Sequence, residues 1–339
     1  MKKRILSVIL AATMIASVAS LTGCGAGSST NKLGMGIVVE DSTSTGNAQI
    51  DATVAAVVTD KDGKIVSCYL DVAQTKISDE EGVLGDVAAV DLRSKQEKGD
   101  DYNMVTYGGA IAEWYEQADF FAQQVVGKTA DEVAAIETVA KDEHHNVAAD
   151  EAILAGCTMD ITAFQEAIVK ACNDEYAKEF TGKDFKLGLG VLTSVDSSSV
   201  SASAEGDGAA NMYSHFAAVV TDKDGKVLAD LIDAIQPKIS FNEAGEETAF
   251  NFVDTKKYLK FDYNMVAYGN SVGEWFEETK VFEDYIVGKD AAGVTGIATV
   301  VNDEGHSVAT EADADLLAGC TISISDFQEV VAKAINNAR

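Results

Sequence analysis

Along residues 53–72, "TVAAVVTDKDGKIVSCYLDV", two runs of β-branched and small apolar residues flank a polar turn at Asp60–Gly63, and "AAVVTDKDGK" returns at Ala217–Lys226. Apolar arms around Asp-Lys-Asp-Gly predict an antiparallel hairpin, because glycine supplies the positive φ a tight loop needs. The same string resembles part of a calcium loop, but it lacks the other ligands and terminal glutamate of an EF-hand, so a plain turn is expected. Downstream the period becomes helical. Tyr268, Val272, Trp275, Phe282 and Ile286 recur before Gly288, and Tyr107, Ile111, Trp114, Phe121 and Val125 recur before Gly127. Each stripe predicts a helix with a glycine at its C-terminal end, its aromatics serving as core rather than as a wall for ring stacking.

Two further segments complete the pattern. "AIETVAKDEHHNV" and "GIATVVNDEGHSV" read as strand, turn, strand, with His145 and His306 each two residues after a glutamate, Glu143 or Glu304. No third ligand accompanies either histidine, so turn polarity rather than metal or proton transfer is the expectation. A final helix follows in each case, with Phe164, Ile168 and Ala171, or Phe327, Val330, Val331, Ala334 and Ile335, as the buried face. Thr162 with Gln165, and Ser325 with Gln328, have capping-box spacing at its start.

These matches hold a nearly constant offset. "DYNMV" at Asp101 and Asp262 shifts by 161, as does Trp114 to Trp275; the hairpin shifts by 162 and "AGCT" by 163. "KLGMG" at Lys32 and "KLGLG" at Lys186 open the two copies. An offset this long means a duplicated domain rather than a solenoid, with units at 31–181 and 182–339. The expected class is α+β: two tandem similar domains, each a mainly antiparallel sheet packed against helices.

Charge and the N-terminus narrow the setting. The 339 residues carry 55 acidic against 26 basic side chains, a formal charge of −29, which disfavours nucleic acid as a partner. Met1-Lys2-Lys3-Arg4 followed by the apolar run Ile5–Ser20 predicts a secretory signal over 1–23. Leu21-Thr22-Gly23-Cys24 resembles a bacterial lipobox, so Cys24 is the expected lipidation site, 24–30 the tether, and the location extracytoplasmic on the membrane through that lipid. Cys68, Cys157, Cys172 and Cys320 remain, without CxxC or Cys/His metal spacing, so no metal site is expected. Only Cys157 and Cys320 occupy the same place in both copies, which speaks against a disulfide repeated in each unit.

Candidate chemistry centres on "LAGCTMDITAFQ" at Leu154–Gln165 and "LAGCTISISDFQ" at Leu317–Gln328. A glycine and a threonine just ahead of a helix N-terminus suit a phosphate, since the first helical amides are unpaired donors. The order of DGK hairpin, central helix and C-terminal Gly-x-Thr-x-Ser resembles the FMN-binding domain family, which includes extracytoplasmic flavin-carrying subunits of ion-pumping oxidoreductases and surface lipoproteins of electron transfer. In that family a flavin transferase links FMN to threonine through a phosphoester. Asp315, Gly319 and Thr321 match its motif; Ala318 and Cys320 depart from it, and Ala152 stands at the aspartate position of the first copy. The resemblance implies FMN on Thr321, with Thr158 second, and Gly319, Cys320, Asp315, Gly156 and Cys157 around the cofactor, in an electron carrier with a redox partner. The departures favour a competing reading, a non-redox lipoprotein that binds a ligand or a partner. Catalysis has least support: the sequence shows no Ser/His/Asp arrangement, HExxH, P-loop or Rossmann fingerprint.

Overall fold

The computed structural model describes residues 30–142, 145–196, 198–269, 271–303 and 305–339, so the signal segment, Cys24, Glu143 and Glu304 lie outside the described residues. Strands β1 (Thr30–Asp41), β2 (Asn47–Thr59) and β3 (Ile65–Ser78) lead to helices α1 (Lys95–Lys98), α2 (Met104–Gly108), α3 (Trp114–Gln124) and α4 (Ala130–Ala134). Then come β4 (Thr138–Ala140), β5 (Asn146–Ala148), α5 (Glu151–Leu154), α6 (Thr162–Cys172) and β6 (Lys178–Thr181). The second half opens with β7 (Lys186–Val195), β8 (Gly208–Thr221) and β9 (Val227–Ile235), adds β10 (Lys238–Phe241) and β11 (Glu247–Asn251), and continues with α7 (Lys256–Leu259), α8 (Met265–Gly269), α9 (Trp275–Ile286) and α10 (Ala291–Thr295). It closes with β12 (Thr299–Val301), β13 (Ser307–Ala309), α11 (Ala314–Leu317) and α12 (Ser325–Asn336).

The architecture is mixed α/β with antiparallel sheets. One sheet has the order β3-β2-β1-β6; the other runs β11-β10-β8-β7, with β9 also paired to β8, and β4-β5 and β12-β13 form small ribbons. The predicted DGK hairpins are the β2-β3 and β8-β9 connections. Gly63 and Gly225 have φ of +75° and +78° there. The Asp60 and Asp222 carboxylates each accept two backbone N–H groups, from Asp62 and Lys64 and from Asp224 and Lys226, so those acids are spent within the turn.

Alternation along the strands divides the core into layers. In β2, Ala52, Val54, Ala56 and Val58 face an apolar cluster shared with Leu187, Leu189, Phe216, Ala218 and Val220 of the second half. The intervening Ala55 and Val57 face Trp114, Phe121, Phe164 and Ile168 of the helices. In β8, Ala217 and Val219 likewise meet Trp275, Phe282, Phe327 and Val331. The main sheets therefore pack against each other with helices outside, and both faces of the central strands are buried, which is why these strands read as unbroken apolar runs.

The glycines of the opening motifs serve the outer contact. A Cβ on Gly34 or Gly36 would lie 1.9 Å from the Ala171 carbonyl oxygen or 2.1 Å from that of Ala167, on α6. Gly188 and Gly190 stand in the same relation to Ala334 and Val330 of α12, at 1.9 and 2.2 Å. Only a bare backbone lets either helix lie this close to its sheet.

The central helices are shorter than their apolar stripes predicted. Trp114, Phe121 and Val125, and Trp275, Phe282 and Ile286, are buried as expected. Tyr107 and Tyr268, however, are each 87% exposed, and Ile111 and Val272 are exposed as well. The chain breaks between them: Gly109, just past the end of α2, caps it with φ of +61°. A new helix then starts under Glu113 or Glu274, whose carboxylate accepts the amides of Met104 and Val105, or of Met265 and Val266. Gly127 and Gly288 do follow α3 and α9 at φ of +85° and +83°. Among the described residues no helix is long and apolar enough to cross a membrane.

Candidate functional site

Each half carries a cleft between its sheet and its helices, of about 740 Å³ in the first and about 750 Å³ in the second. Equivalent positions line both: Lys95 and Lys256, Tyr102 and Tyr263, Met104 and Met265, Trp114 and Trp275, His145 and His306, Thr158 and Thr321, Phe164 and Phe327. Volumes of this order hold small organic ligands.

The lysines are placed by a buried aspartate. Asp71 accepts the amide of Gln96, and Asp233 accepts the amide of Lys257 and the Thr255 hydroxyl, so each acid grips the first turn of the short helix that begins with the lysine. Burial pushes the Asp71 and Asp233 carboxyls up to about 7 and about 6, against the pull of these hydrogen bonds. Negative charge at a helix N-terminus is also favoured by the aligned backbone amides.

Lys256 is 5% exposed. Its Nζ donates to the Tyr213 hydroxyl at 2.6 Å and lies 4.3 Å from the Tyr213 ring centre, 4.7 Å from that of Tyr263 and 5.9 Å from that of Trp275. Burial lowers its pKa to about 7, offset in part by Asp233 and Asp326. The ring faces favour the ammonium by about 0.5–2 kcal/mol each. Lys95 sits 5.2 and 5.6 Å from Tyr102 and Trp114, and 3.8 Å from the Asp51 carboxylate. Asp51 occupies the place of Tyr213, and Thr53 that of His215. The His215 ring lies 4.3 Å from that of Tyr213, and burial, reinforced by Lys256, drives its pKa down to about 3, so it is neutral.

The threonines face different partners. Thr321 donates its amide to Glu278 at 2.6 Å and its hydroxyl at 3.2 Å, and the same carboxylate accepts the amides of Ile322 and Gly273, each at 3.1 Å. In the first half neutral Gln117 takes that place, its Oε1 accepting the Thr158 amide at 2.9 Å and hydroxyl at 3.2 Å. Glu278 is 1% and Gln117 0% exposed, so both belong to the framework.

Of the residues singled out in sequence, Thr158 and Thr321 line the clefts and are half-buried. Cys157 and Cys320 do not: both are fully buried in the apolar clusters, and burial pushes the Cys320 thiol up to about 12. The close approach that glycine permits is to protein, since a Cβ on Gly156 would meet the Phe120 ring at 2.6 Å and one on Gly319 would meet Val281 at 3.0 Å. Asp315 is exposed on α11 and lies outside the second cleft.

The capping boxes do not form either. Thr162 and Ser325 are the first helical residues, preceded by Ile161 and Ile324 without side-chain caps. Gln165 instead donates to the carbonyls of Val133 and Ile136, and Gln328 to those of Val294 and Ile297, tying α6 to α4 and α12 to α10. His145 and His306 are exposed yet border the clefts. Among the described residues no group of three or more His, Cys, Asp or Glu could hold a metal ion.

The lysines, Tyr213, His215 and Glu278 are the site residues that motif reading missed. A signal was present: counting six residues back from "DYNMV" reaches Lys95 and Lys256 in both copies, each after a hydroxyl residue, Ser94 or Thr255.

The fit to FMN is divided. Trp275 and Tyr263 offer walls for a flat ring, but the donors a phosphate needs at Thr321 already hold a carboxylate. A phosphoester on that hydroxyl would set a second anion beside buried Glu278, an arrangement of like charges in a poorly screened place. These residues do not fit a phosphoester at Thr321. No protein-family model matches the chain, and neither a curated protein nor a solved structure matches it.

Proposed function

We propose that the chain is an extracytoplasmic, lipid-anchored binding protein built from two tandem similar units, each taking one small ring-bearing molecule in its cleft. The observation that carries this reading is the recurrence, at equivalent positions, of a lysine set among aromatic rings in a cleft large enough for such a ligand. The net charge of −29, and Asp51, Asp142 and Asp160 in the first cleft, favour a neutral or cationic ligand over an anion. Saturation-transfer NMR with benzyl alcohol tests the reading. Ser323→Trp in the second cleft and Asp160→Trp in the first should each remove about half of the signal. A signal untouched by the double variant would refute it.

A second reading, the flavin carrier, is supported by one feature: Thr158 and Thr321 each line a cleft that also holds a tryptophan. Here the direct partner of Thr158 is neutral Gln117 where that of Thr321 is the Glu278 carboxylate, although Asp51, Asp142 and Asp160 of the first cleft oppose a phosphate there too. Co-expression with a flavin transferase followed by intact mass and a visible spectrum tests this; a chain without flavin mass ends that reading.

A further inference from the structure

We propose that Lys256 is a reactive amine that condenses with the carbonyl carbon of a neutral aldehyde or ketone held in the second cleft, forming an imine. The proposal rests on the ligand-binding reading and names the ligand class for that cleft. Four observations carry it. Lys256 lines the cleft. The residue is almost fully buried. Its nearest polar partner is a phenol, not a carboxylate. Ring faces surround it where an aromatic or unsaturated carbonyl compound could lie. Desolvated lysines in apolar pockets are activated nucleophiles because burial disfavours the ammonium.

The charged and titratable groups facing it are Tyr213 and His215 from β8, Asp233 from β9, Tyr263 ahead of α8, and Asp326 from α12. Burial opposes the ammonium and lowers the pKa to about 7, while Asp233, Asp326 and the ring faces favour it. Burial therefore leaves a larger share of free amine at neutral pH than on an ordinary exposed lysine.

The chemistry balances without any oxidant. The Nζ lone pair adds to the carbonyl carbon, the carbonyl π pair moves to oxygen, and a proton passes from nitrogen to oxygen, giving a carbinolamine. Loss of that hydroxyl as water, with the remaining N–H proton released, leaves the C=N bond. Tyr213, whose oxygen now accepts from Nζ, keeps its own O–H to donate to the carbinolamine oxygen. Lys95 provides the internal contrast: the Asp51 carboxylate stands 3.8 Å from it, where Tyr213 stands in the second cleft, so its nearest polar partner is an acid rather than a phenol.

Full-length chain is incubated at pH 7 with benzaldehyde and sodium cyanoborohydride, which traps an imine as a stable secondary amine, and modified sites are mapped by mass spectrometry. Labelling at Lys256 should exceed that at exposed Lys223 and at Lys95 by at least about tenfold, and should level off above about pH 7. Lys256→Arg should lose this adduct. Labelling of Lys256 no greater than that of Lys223 overturns the imine, and this measurement on the unmutated chain does not depend on any variant folding. If benzyl alcohol binds but Lys256 stays unlabelled, only the imine falls; if neither occurs, the ligand-binding reading falls with it.

Discussion

Replacing Asp230 should stabilise the protein, and by more as pH rises. Asp230 on β9 is 0% exposed, and neither carboxylate oxygen has a hydrogen-bond partner. It belongs to a buried group in which Asp230, Asp233 and Glu283 face Lys178 and Lys257. Glu283 is well served: it accepts from Lys257 at 2.6 Å, from Lys178 at 2.9 Å and from the Ile232 amide at 2.7 Å. Burial pushes Glu283 up, but the two lysines outweigh it and hold it below its ordinary value. Asp233 has the Thr255 hydroxyl and two amides. Three acids against two lysines balance only if one acid stays protonated, and Asp230, with no donor, is that acid; burial drives its pKa well above the ordinary value.

The equivalent position in the first half is Cys68, so Asp230→Cys is a substitution the fold already accommodates. A buried polar group left unpaired costs about 1–3 kcal/mol. A gain of about 2 kcal/mol at pH 7.5 is expected, a rise of roughly 3 °C in Tm for a chain of this size. The sign follows from linkage. Because the folded pKa lies above the unfolded one, the folded state binds the proton more tightly, and stability is lost as pH climbs from the unfolded value through the folded one. The advantage of Asp230→Cys should therefore shrink at pH 4.5, where the acid is protonated in the folded chain. Urea titrations under reducing conditions at both pH values measure it, with Asp230→Asn as a volume-matched control. A variant less stable at both pH values, or an advantage independent of pH, would refute the charge count.

Three further outcomes follow from the same geometry. Gly36→Ala, and separately Gly190→Ala, should cost about 1–3 kcal/mol or more, since the added methyl must push α6 or α12 off its sheet, whereas Gly63→Ala, open on all sides, should show only the smaller strain of its positive φ. His215 ring resonances should remain those of the neutral imidazole down to about pH 4; its folded pKa lies below the unfolded one, so the unfolded chain binds the extra proton and stability should fall as pH drops below about 6.5. Glu274→Ala should lower stability by about 2–4 kcal/mol by stranding the Met265 and Val266 amides, seen as early hydrogen exchange in α8.

Local features were legible where one residue type has one use. The glycines of the DGK turns and those closing α3 and α9 are needed for positive φ, and the sequence places them at the right points. The apolar face of α12, from Phe327 to Ile335, also reads directly. The extension of the α3 and α9 stripes back to Tyr107 and Tyr268 failed because helical spacing continues across a break that a buried glutamate, not a proline, creates. Gln165 and Gln328 have capping-box spacing, but a long amide reaches a neighbouring helix as easily as its own, and the carbonyls at the ends of α4 and α10, which retain acceptor capacity, win. Packing between the sheets left a mark in the doubled apolar runs of β2 and β8, which periodicity alone does not separate from other buried segments.

The two clefts share a frame and much of their lining but differ in the groups around the lysine, and this difference bears on the ligands proposed for them. The aspartate that holds the lysine helix, the glutamate under the methionine turn, the tryptophan and the threonine recur in both. Those residues fix backbone and shape. The side chains that set charge have changed: Asp51 against Tyr213, Thr53 against His215, Gln117 against Glu278. In the first cleft a carboxylate stands beside the lysine and a neutral amide holds the threonine; in the second a phenol stands beside the lysine and the carboxylate has moved to the threonine. Glu278 and Gln117 stay buried in the framework, so the difference a ligand would meet is at the lysine, where a carboxylate stands in one cleft and a phenol in the other. Two sites of one frame with different groups beside the lysine suit two different ligands, or two ends of a larger one, better than two copies of the same molecule. Exchanging the pair Asp51 and Gln117 for Tyr and Glu should therefore give the first cleft the aldehyde reactivity expected of the second, with Lys95 as the labelled residue. An exchanged cleft that folds, binds benzyl alcohol and leaves Lys95 unlabelled would place the origin of the difference outside these side chains.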